Sequence, residues 1–315
     1  MMQSLTLTQL EYIIAVDTYR HFVTASEKCF VTQPTLSMQI KKLEDELGVI
    51  IFDRTKQPIV PTEVGEKIIA QARIALAESK RIYELIKDNS NAVSGELTIG
   101  IIPSLAPYLL PLFIGTFTQK YPLVKVKIIE LMTEEIIHQL KKDTLDVGIL
   151  VTPLNESGVI EKPLFYEKMV LYINKEHPLA RKKILKTTDI ATPDLWLLSK
   201  GHCFRSQVMN LCSYQRSTQN ELPFEYESGS LETLKKFVEK EGGYTLLPEL
   251  AVDELNKDST IRIKQFETVP LREVSFAYTR NYSKKRLLTL LEEEIKKAIP
   301  KALLTKARGN IVDWR

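Results

Sequence analysis

At 315 residues, with 44% hydrophobic and 26% charged residues, the chain has room for two or three domains with cores of their own and no mark of disorder or fibrous repeats. Its net charge of +3 is too small to argue by itself for a nucleic-acid partner, and three cysteines exclude a disulfide framework. No apolar run nears the roughly 18 to 20 residues of a membrane span, and the opening MMQSLTLTQL lacks the basic and apolar regions of a signal peptide, so a cytoplasmic chain with no membrane partner is expected.

Between Met1 and Val60, six basic residues (Arg20, Lys28, Lys41, Lys42, Arg54, Lys56) face seven acidic ones (Glu11, Asp17, Glu27, Glu44, Asp45, Glu46, Asp53), so DNA binding has to be argued from pattern. Thr8 opens a helix-like run, with Leu10, Ile13, Ile14 and Val16 at helical spacing and Glu11 completing a capping box. A second short helix is expected after Val23, capped by Thr24 and interrupted by Val31 and Thr32. Pro34 suits the first turn of a third helix, in which Leu36, Ile40, Leu43 and Leu47 form one apolar stripe that Gly48 ends. Two short helices joined by a tight turn form a helix-turn-helix, whose second member enters the major groove. Thr35, Ser37, Met38 and Lys41 lie off the stripe; of these, Thr35, Ser37 and Lys41, with Thr32, Gln33 and Pro34 beside them, are the candidate DNA-binding surface. Phe52 to Arg54 and Pro58 to Pro61 read as a wing, from which Arg54 and Lys56 would meet phosphate.

From Thr62 to about Asn89 the pattern is continuously helical with near-heptad apolar spacing, a rod of about 40 Å that needs a partner chain. Asn89 to Gly95 reads as a linker. Short apolar strands then alternate with helices: Leu97 to Ile102, Val124 to Ile129, Asp146 to Val151, Met169 to Ile173, Leu195 to Leu198, Tyr244 to Leu247 and Val274 to Tyr278. The alternation predicts largely parallel sheets in an α/β domain of two Rossmann-like subdomains, crossed near Pro163 and Thr268. The expected division is a winged helix-turn-helix domain at 1–61, a linker helix and hinge at 62–93, and a regulatory domain at 94–300. Within that last domain, one subdomain takes about 94–163 and 268–300 and the other about 164–267; the tail 301–315 has no assigned role.

The run TASEKCFVTQPTLSMQIKKLEDELGVIIFDR, from Thr24 to Arg54, resembles the LysR-type transcription regulators. A narrower resemblance, to the peroxide-sensing members of that family, is carried by IPSLAPYLLP (Ile102 to Pro111), GHCFRSQVMNLC (Gly201 to Cys212), SLETLKKFV (Ser230 to Val238) and GGYTLLPELAV (Gly242 to Val252). It implies an all-α winged helix-turn-helix domain, a linker helix and a regulatory domain like the periplasmic binding proteins. It also implies a dimer of dimers that binds double-stranded promoter DNA, meets RNA polymerase there and is oxidised by hydrogen peroxide. In that resemblance Cys203 is the peroxidatic thiol and Cys212 the resolving one. Arg280 and Thr133 match the family's peroxide-site arginine and threonine, Ser104 stands where a threonine is usual, and Ser206 where an aspartate is frequent.

Physical reading of the thiol pair adds a constraint. Phe204 to Leu211 look helical, so the two cysteines would have Cα atoms about 13 Å apart on opposite sides of the axis. A disulfide needs less than roughly 7 Å, so closing it requires the helix to unwind. Position at a helix start, with His202 and Arg205 as neighbouring donors or cations, is expected to lower the Cys203 pKa. Ser104 reads equally as a helix cap or a pocket residue. His202, Cys203 and Cys212 lack a fourth ligand and CxxC spacing, so neither metal nor cofactor is expected, and Cys29 reads as core. A small organic effector bound between the subdomains remains the alternative to peroxide, whereas a peroxidase would need no helix-turn-helix and a periplasmic binder would need a signal peptide.

Overall fold

A computed structural model describes residues 5–88, 93–190, 194–212, 228–252, 260–279 and 284–314, with the backbone alone at 80, 81, 83–88 and 212. The chain divides into two units, Met1–Asn91 with Asn281–Lys284, and Ala92–Arg280 with Lys285–Arg315.

In the first unit, α1 (Leu7–Tyr19) starts earlier than the pattern suggested, because Thr6 rather than Thr8 is its cap. The Thr6 hydroxyl accepts the Gln9 N–H at 3.2 Å and Gln9 Oε1 accepts the Thr6 N–H at 3.0 Å, so Gln9 fills the place given to Glu11. The start of α2 (Phe22–Lys28) is also displaced: His21 Nδ1 accepts the Thr24 N–H, leaving Thr24 inside the helix. Thr32 caps α3 (Gln33–Leu47), Pro34 lies in its first turn, and Gly48 ends it in the left-handed region at φ 67°. Leu36, Ile40 and Leu43 are fully buried against α1 and α2, whereas Leu47, assigned to the same stripe, is exposed. The wing is β1 (Phe52–Asp53) antiparallel to β2 (Val60–Pro61). In α4 (Glu63–Asp88), Ile69, Ala72 and Leu76 close the core, and Arg73 is bonded to Asp17 at 2.8 Å. Gly65 is required near the start of α4: a Cβ there would lie 2.1 Å from the Ile51 carbonyl oxygen.

The second unit runs β3 (Ser94–Ile101), α5 (Ala106–Lys120), β4 (Leu123–Glu130), α6 (Thr133–Lys141), β5 (Val147–Thr152), β6 (Val159–Asn174), α7 (Cys203–Cys212), α8 (Leu231–Glu241), β7 (Tyr244–Pro248), β8 (Ile261–Lys264), β9 (Pro270–Thr279), α9 (Lys285–Ala298) and β10 (Asn310–Ile311). Strand order is β4-β3-β5-β9-β6-β7, with β8 on β6 and β10 on β9. Among the described strands, the parallel pairing expected from alternation is found at β3–β4, β3–β5 and β9–β10. Pairings β5–β9, β6–β9, β6–β7 and β6–β8 are antiparallel, because β6 and β9 are the crossing strands and run in opposite senses. Val159 to Lys168 of β6 pairs with β9, and Met169 onward pairs with β7, so the crossing falls a few residues beyond Pro163. Leu195 and Leu198 make isolated bridges, to Tyr244 and Ser228, in place of the strand expected there. Of the expected linker, 89–92 lie outside the described residues, and Ser94 and Gly95 already belong to β3. Among the described residues, no helix is long and apolar enough to cross a membrane.

Candidate functional site

Cys203 is the first residue of α7, a free and buried thiol, and Cys212 is the last residue of the same helix. Both cysteines are helical, so the unwinding constraint applies to the whole of 204–211. The helix is anchored by Phe204 and Val208, which sit in the apolar core of the second subdomain with Leu198, Leu231 and Leu246.

The expected lowering of the Cys203 pKa is not met. Burial pushes the thiol up, and this outweighs the pull of the Arg272 charge, the Thr133 hydroxyl and the backbone N–H groups of Phe204 and Cys203. These four opposing groups are nevertheless those that would stabilise a thiolate once it formed. Thr133, first residue of α6, faces the thiol, but its buried Oγ1 forms no well-aligned hydrogen bond. Ser104 is not a helix cap. The turn before α5 has no side-chain cap, and the buried Ser104 Oγ accepts from Arg272 Nη2 at 3.0 Å.

Among the described residues, Arg272, absent from the sequence reading, is the arginine whose charge acts on the thiol. Its guanidinium is fully buried, stacks over the Phe204 ring at 4.8 Å and lies 3.4 Å from the equally buried Glu167. Burial pushes the Glu167 carboxyl up against the opposing charge of Arg272. Arg280, the residue that the resemblance selected, lies outside the described residues. The available signal was the strand itself: a charge inside PLREVSFAYT, otherwise almost wholly buried, calls for a buried partner or a site.

His202 and Arg205 do not supply the cations expected beside Cys203. Burial lowers the His202 pKa, which favours the neutral ring, and among the described residues its Nε2 has no hydrogen-bond partner. Arg205 turns away, donating from Nη1 to the Leu198 carbonyl at 2.6 Å. Among the described residues, Thr133 Oγ1, His202 Nε2 and Arg272 Nε are buried without a well-aligned hydrogen bond, while Arg272 Nη1 and Glu167 Oε1 face each other as an ion pair. Tyr108 on α5 donates to Glu232 on α8 at 2.7 Å, joining the two subdomains, and Tyr108 also feels the Arg272 charge. Among the described residues, no cluster of His, Cys, Asp or Glu has the makings of a metal site.

On the helix-turn-helix, Thr32, Pro34 and Lys41 are exposed, while Gln33, Thr35 and Ser37 are half-buried on the outer side of α3. Thr32 and Thr35 hydroxyls are bonded to each other at 2.8 Å. Arg54, expected to meet phosphate, is exposed; it donates to Glu44 Oε2 at 2.9 Å and to Ser37 Oγ at 3.4 Å and lies 5.2 Å over the Phe22 ring. Sequence reading missed Phe30, which is 95% exposed in the turn before α3 with φ 56°, a conformation uncommon for a bulky residue. Cys29, expected as core, packs against the cluster but is only half-buried.

Residues 7–66 match the bacterial regulatory helix-turn-helix protein family of the LysR type, and 90–299 match the LysR substrate binding domain. The chain is 37% identical over 275 residues to the DNA-binding transcriptional dual regulator OxyR of Escherichia coli, covering 87% of this chain and 89% of that protein. A full-length OxyR variant from Pseudomonas aeruginosa superposes with a TM-score of 0.77 at 34% identity, covering 94% of this chain and 99% of that one. An H2O2-bound OxyR mutant from Corynebacterium glutamicum gives a TM-score of 0.60 at 27% identity, over 93% and 92% of the two chains. With both of its units matched in order and full-length relatives aligned almost end to end, the chain belongs to the LysR family of DNA-binding transcription regulators.

Proposed function

We propose that this regulator senses hydrogen peroxide by oxidation of Cys203 and records the event as a disulfide with Cys212, switching transcription of oxidative-stress genes. The observation that carries the reading is the buried Cys203 beside Arg272, Thr133 and Ser104, with the second cysteine at the other end of the same helix. Similarity to proteins named as hydrogen peroxide-inducible activators supports it.

In the first step the Cys203 sulfur attacks one peroxide oxygen and the O–O bond breaks. The sulfur becomes a sulfenic acid, and the departing hydroxide takes up the thiol proton and leaves as water. Arg272 stabilises both the thiolate and the developing hydroxide, while the hydroxyls of Thr133 and Ser104 orient the peroxide. In the second step the Cys212 sulfur attacks the sulfenic sulfur, an S–S bond forms and a second water leaves. Two thiols lose two electrons in all, and one peroxide is reduced to two waters.

Formation of that bond unwinds α7, and the change in subunit packing alters the spacing or bend that the assembly imposes on promoter DNA. Each dimer, joined through α4, sets two α3 helices into successive major grooves, and two dimers form the tetramer that meets RNA polymerase. Gln33, Thr35 and Ser37 approach base edges, Lys41 neutralises phosphate, and Thr32 and Pro34 set the start of the reading helix. Arg54, paired with Glu44, braces the wing and adds less to phosphate binding than a free arginine would.

Titration of the reduced protein with peroxide tests the reading. It predicts loss of two thiols per chain at one equivalent, together with an altered DNA footprint. An unchanged footprint with both thiols intact would return the regulatory cleft to a small organic effector.

A further inference from the structure

The segment after α9 is bonded to both elements that carry the redox groups. Asn310 and Ile311 of β10 pair in parallel with Pro270 and Leu271 of β9, next to Arg272, and the Val312 N–H donates to the Leu271 carbonyl at 2.9 Å. On its other side, Gln207 Nε2 of α7 donates to the Val312 carbonyl at 2.8 Å, and Asn210 Nδ2 donates to the Asp313 carbonyl at 3.0 Å. Val312 packs against the core of the second subdomain, and the buried Trp314 donates from its indole to the Pro153 carbonyl at 3.0 Å. Arg308 bonds Glu249, whose charge acts on Glu167. The approach is close enough that a Cβ at Gly309 would fall 2.2 Å from the Val269 carbonyl oxygen, so only glycine lets the segment lie flush there.

We propose that Gly309 to Trp314 is a strap that holds α7 helical against β9, and that joining Cys203 to Cys212 releases it. Gln207 and Asn210, three residues apart on one helix face, both lie between the two cysteines. Shortening the Cα separation from about 13 Å to under roughly 7 Å takes 204–211 out of helical geometry, and the two side chains cannot both keep their carbonyls while it does so. Whatever the strap contributes is therefore present in the dithiol state and lost in the disulfide state. Only the redox half of the proposal rests on the disulfide reading; the hold on α7 stands on the hydrogen bonds alone.

The test uses the full-length protein, a Gln207→Leu/Asn210→Ala double variant and the milder Asn210→Ala single variant at an exposed position. Equilibration with dithiothreitol or glutathione buffers is expected to place the double variant about tenfold nearer the disulfide form than wild type, each lost bond being worth a factor of roughly two to ten. Amide exchange of the peptide covering 305–314 in the wild-type chain is expected to speed up on oxidation. A thiol–disulfide equilibrium within twofold of wild type, or a tail equally protected in both redox states, would overturn the strap. Should the wild-type cysteines fail to join at all, the disulfide reading falls instead. Exchange at 204–211 in the reduced protein then decides: faster exchange in the variants upholds the hold on α7, and unchanged exchange removes it.

Discussion

Arg272 concentrates the chemistry of the site in one guanidinium that touches Ser104, faces Glu167, stacks on Phe204 and acts on the Cys203 sulfur. Lysine keeps the charge but not the planar fork or the stacking, so Arg272→Lys is expected to slow oxidation of Cys203 by about 10- to 100-fold, the worth of one charge-assisted hydrogen bond. The same stopped-flow measurement on Arg280→Ala tests the arginine that the resemblance selects: a comparable loss of rate would give it a part in the reaction, and a rate within about threefold of wild type would leave that part to Arg272. A second expectation concerns pH. Burial favours the neutral thiol, so its pKa in the folded protein is raised, and alkylation of Cys203 by iodoacetamide should be slow at pH 7 and climb through and beyond the ordinary thiol value of about 8.5. A rate already at its plateau by pH 7 would contradict that sign.

At the scale of elements, the start of α4 depends on a close backbone approach. Gly65→Ala drives a Cβ against the Ile51 carbonyl, and thermal unfolding of the variant is expected to show a loss of about 2 kcal/mol or more; a melting curve unchanged within error would mean that the approach relaxes freely. The same element-level view explains what was legible beforehand. The helix-turn-helix, the wing and α4 could be read because their apolar spacing is local, as Leu36, Ile40 and Leu43 illustrate. Caps were misplaced by two residues at α1 and by three at α2, because Gln9 and His21 cap as well as the expected Glu11 and Thr24. The first half of β6 was missed because its glutamate, lysine and Pro163 break the apolar run, although pairing with β9 sets its conformation. At the candidate site, Cys203 and Ser104 stand in motifs that carry the resemblance, and Thr133 was picked out by resemblance alone. Arg272 and Glu167 were not legible, since each is identified only by a partner more than a hundred residues away across the fold. Arg205 illustrates the converse: an arginine beside a site is easily captured by a nearby carbonyl.

At the scale of the molecule, α4 exposes Ile74 and Ile82 along a helix of 26 residues, more apolar surface than a lone rod would present to water. If this face joins two chains, Ile82→Glu should weaken dimerisation at least about tenfold in sedimentation experiments, because the carboxylate would be buried without a partner. An unaltered dimer constant would place the interface elsewhere. The claim on which the rest depends is that α7 is helical between two separated cysteines and ceases to be so when they join. Its most direct test is amide exchange of 204–211, followed by peptide mapping, on the same sample before and after one equivalent of peroxide. The account predicts a Cys203–Cys212 linked peptide together with sharply faster exchange across the segment. A linked peptide with the helix as protected as before, or full oxidation with the two sulfurs unjoined, would contradict it.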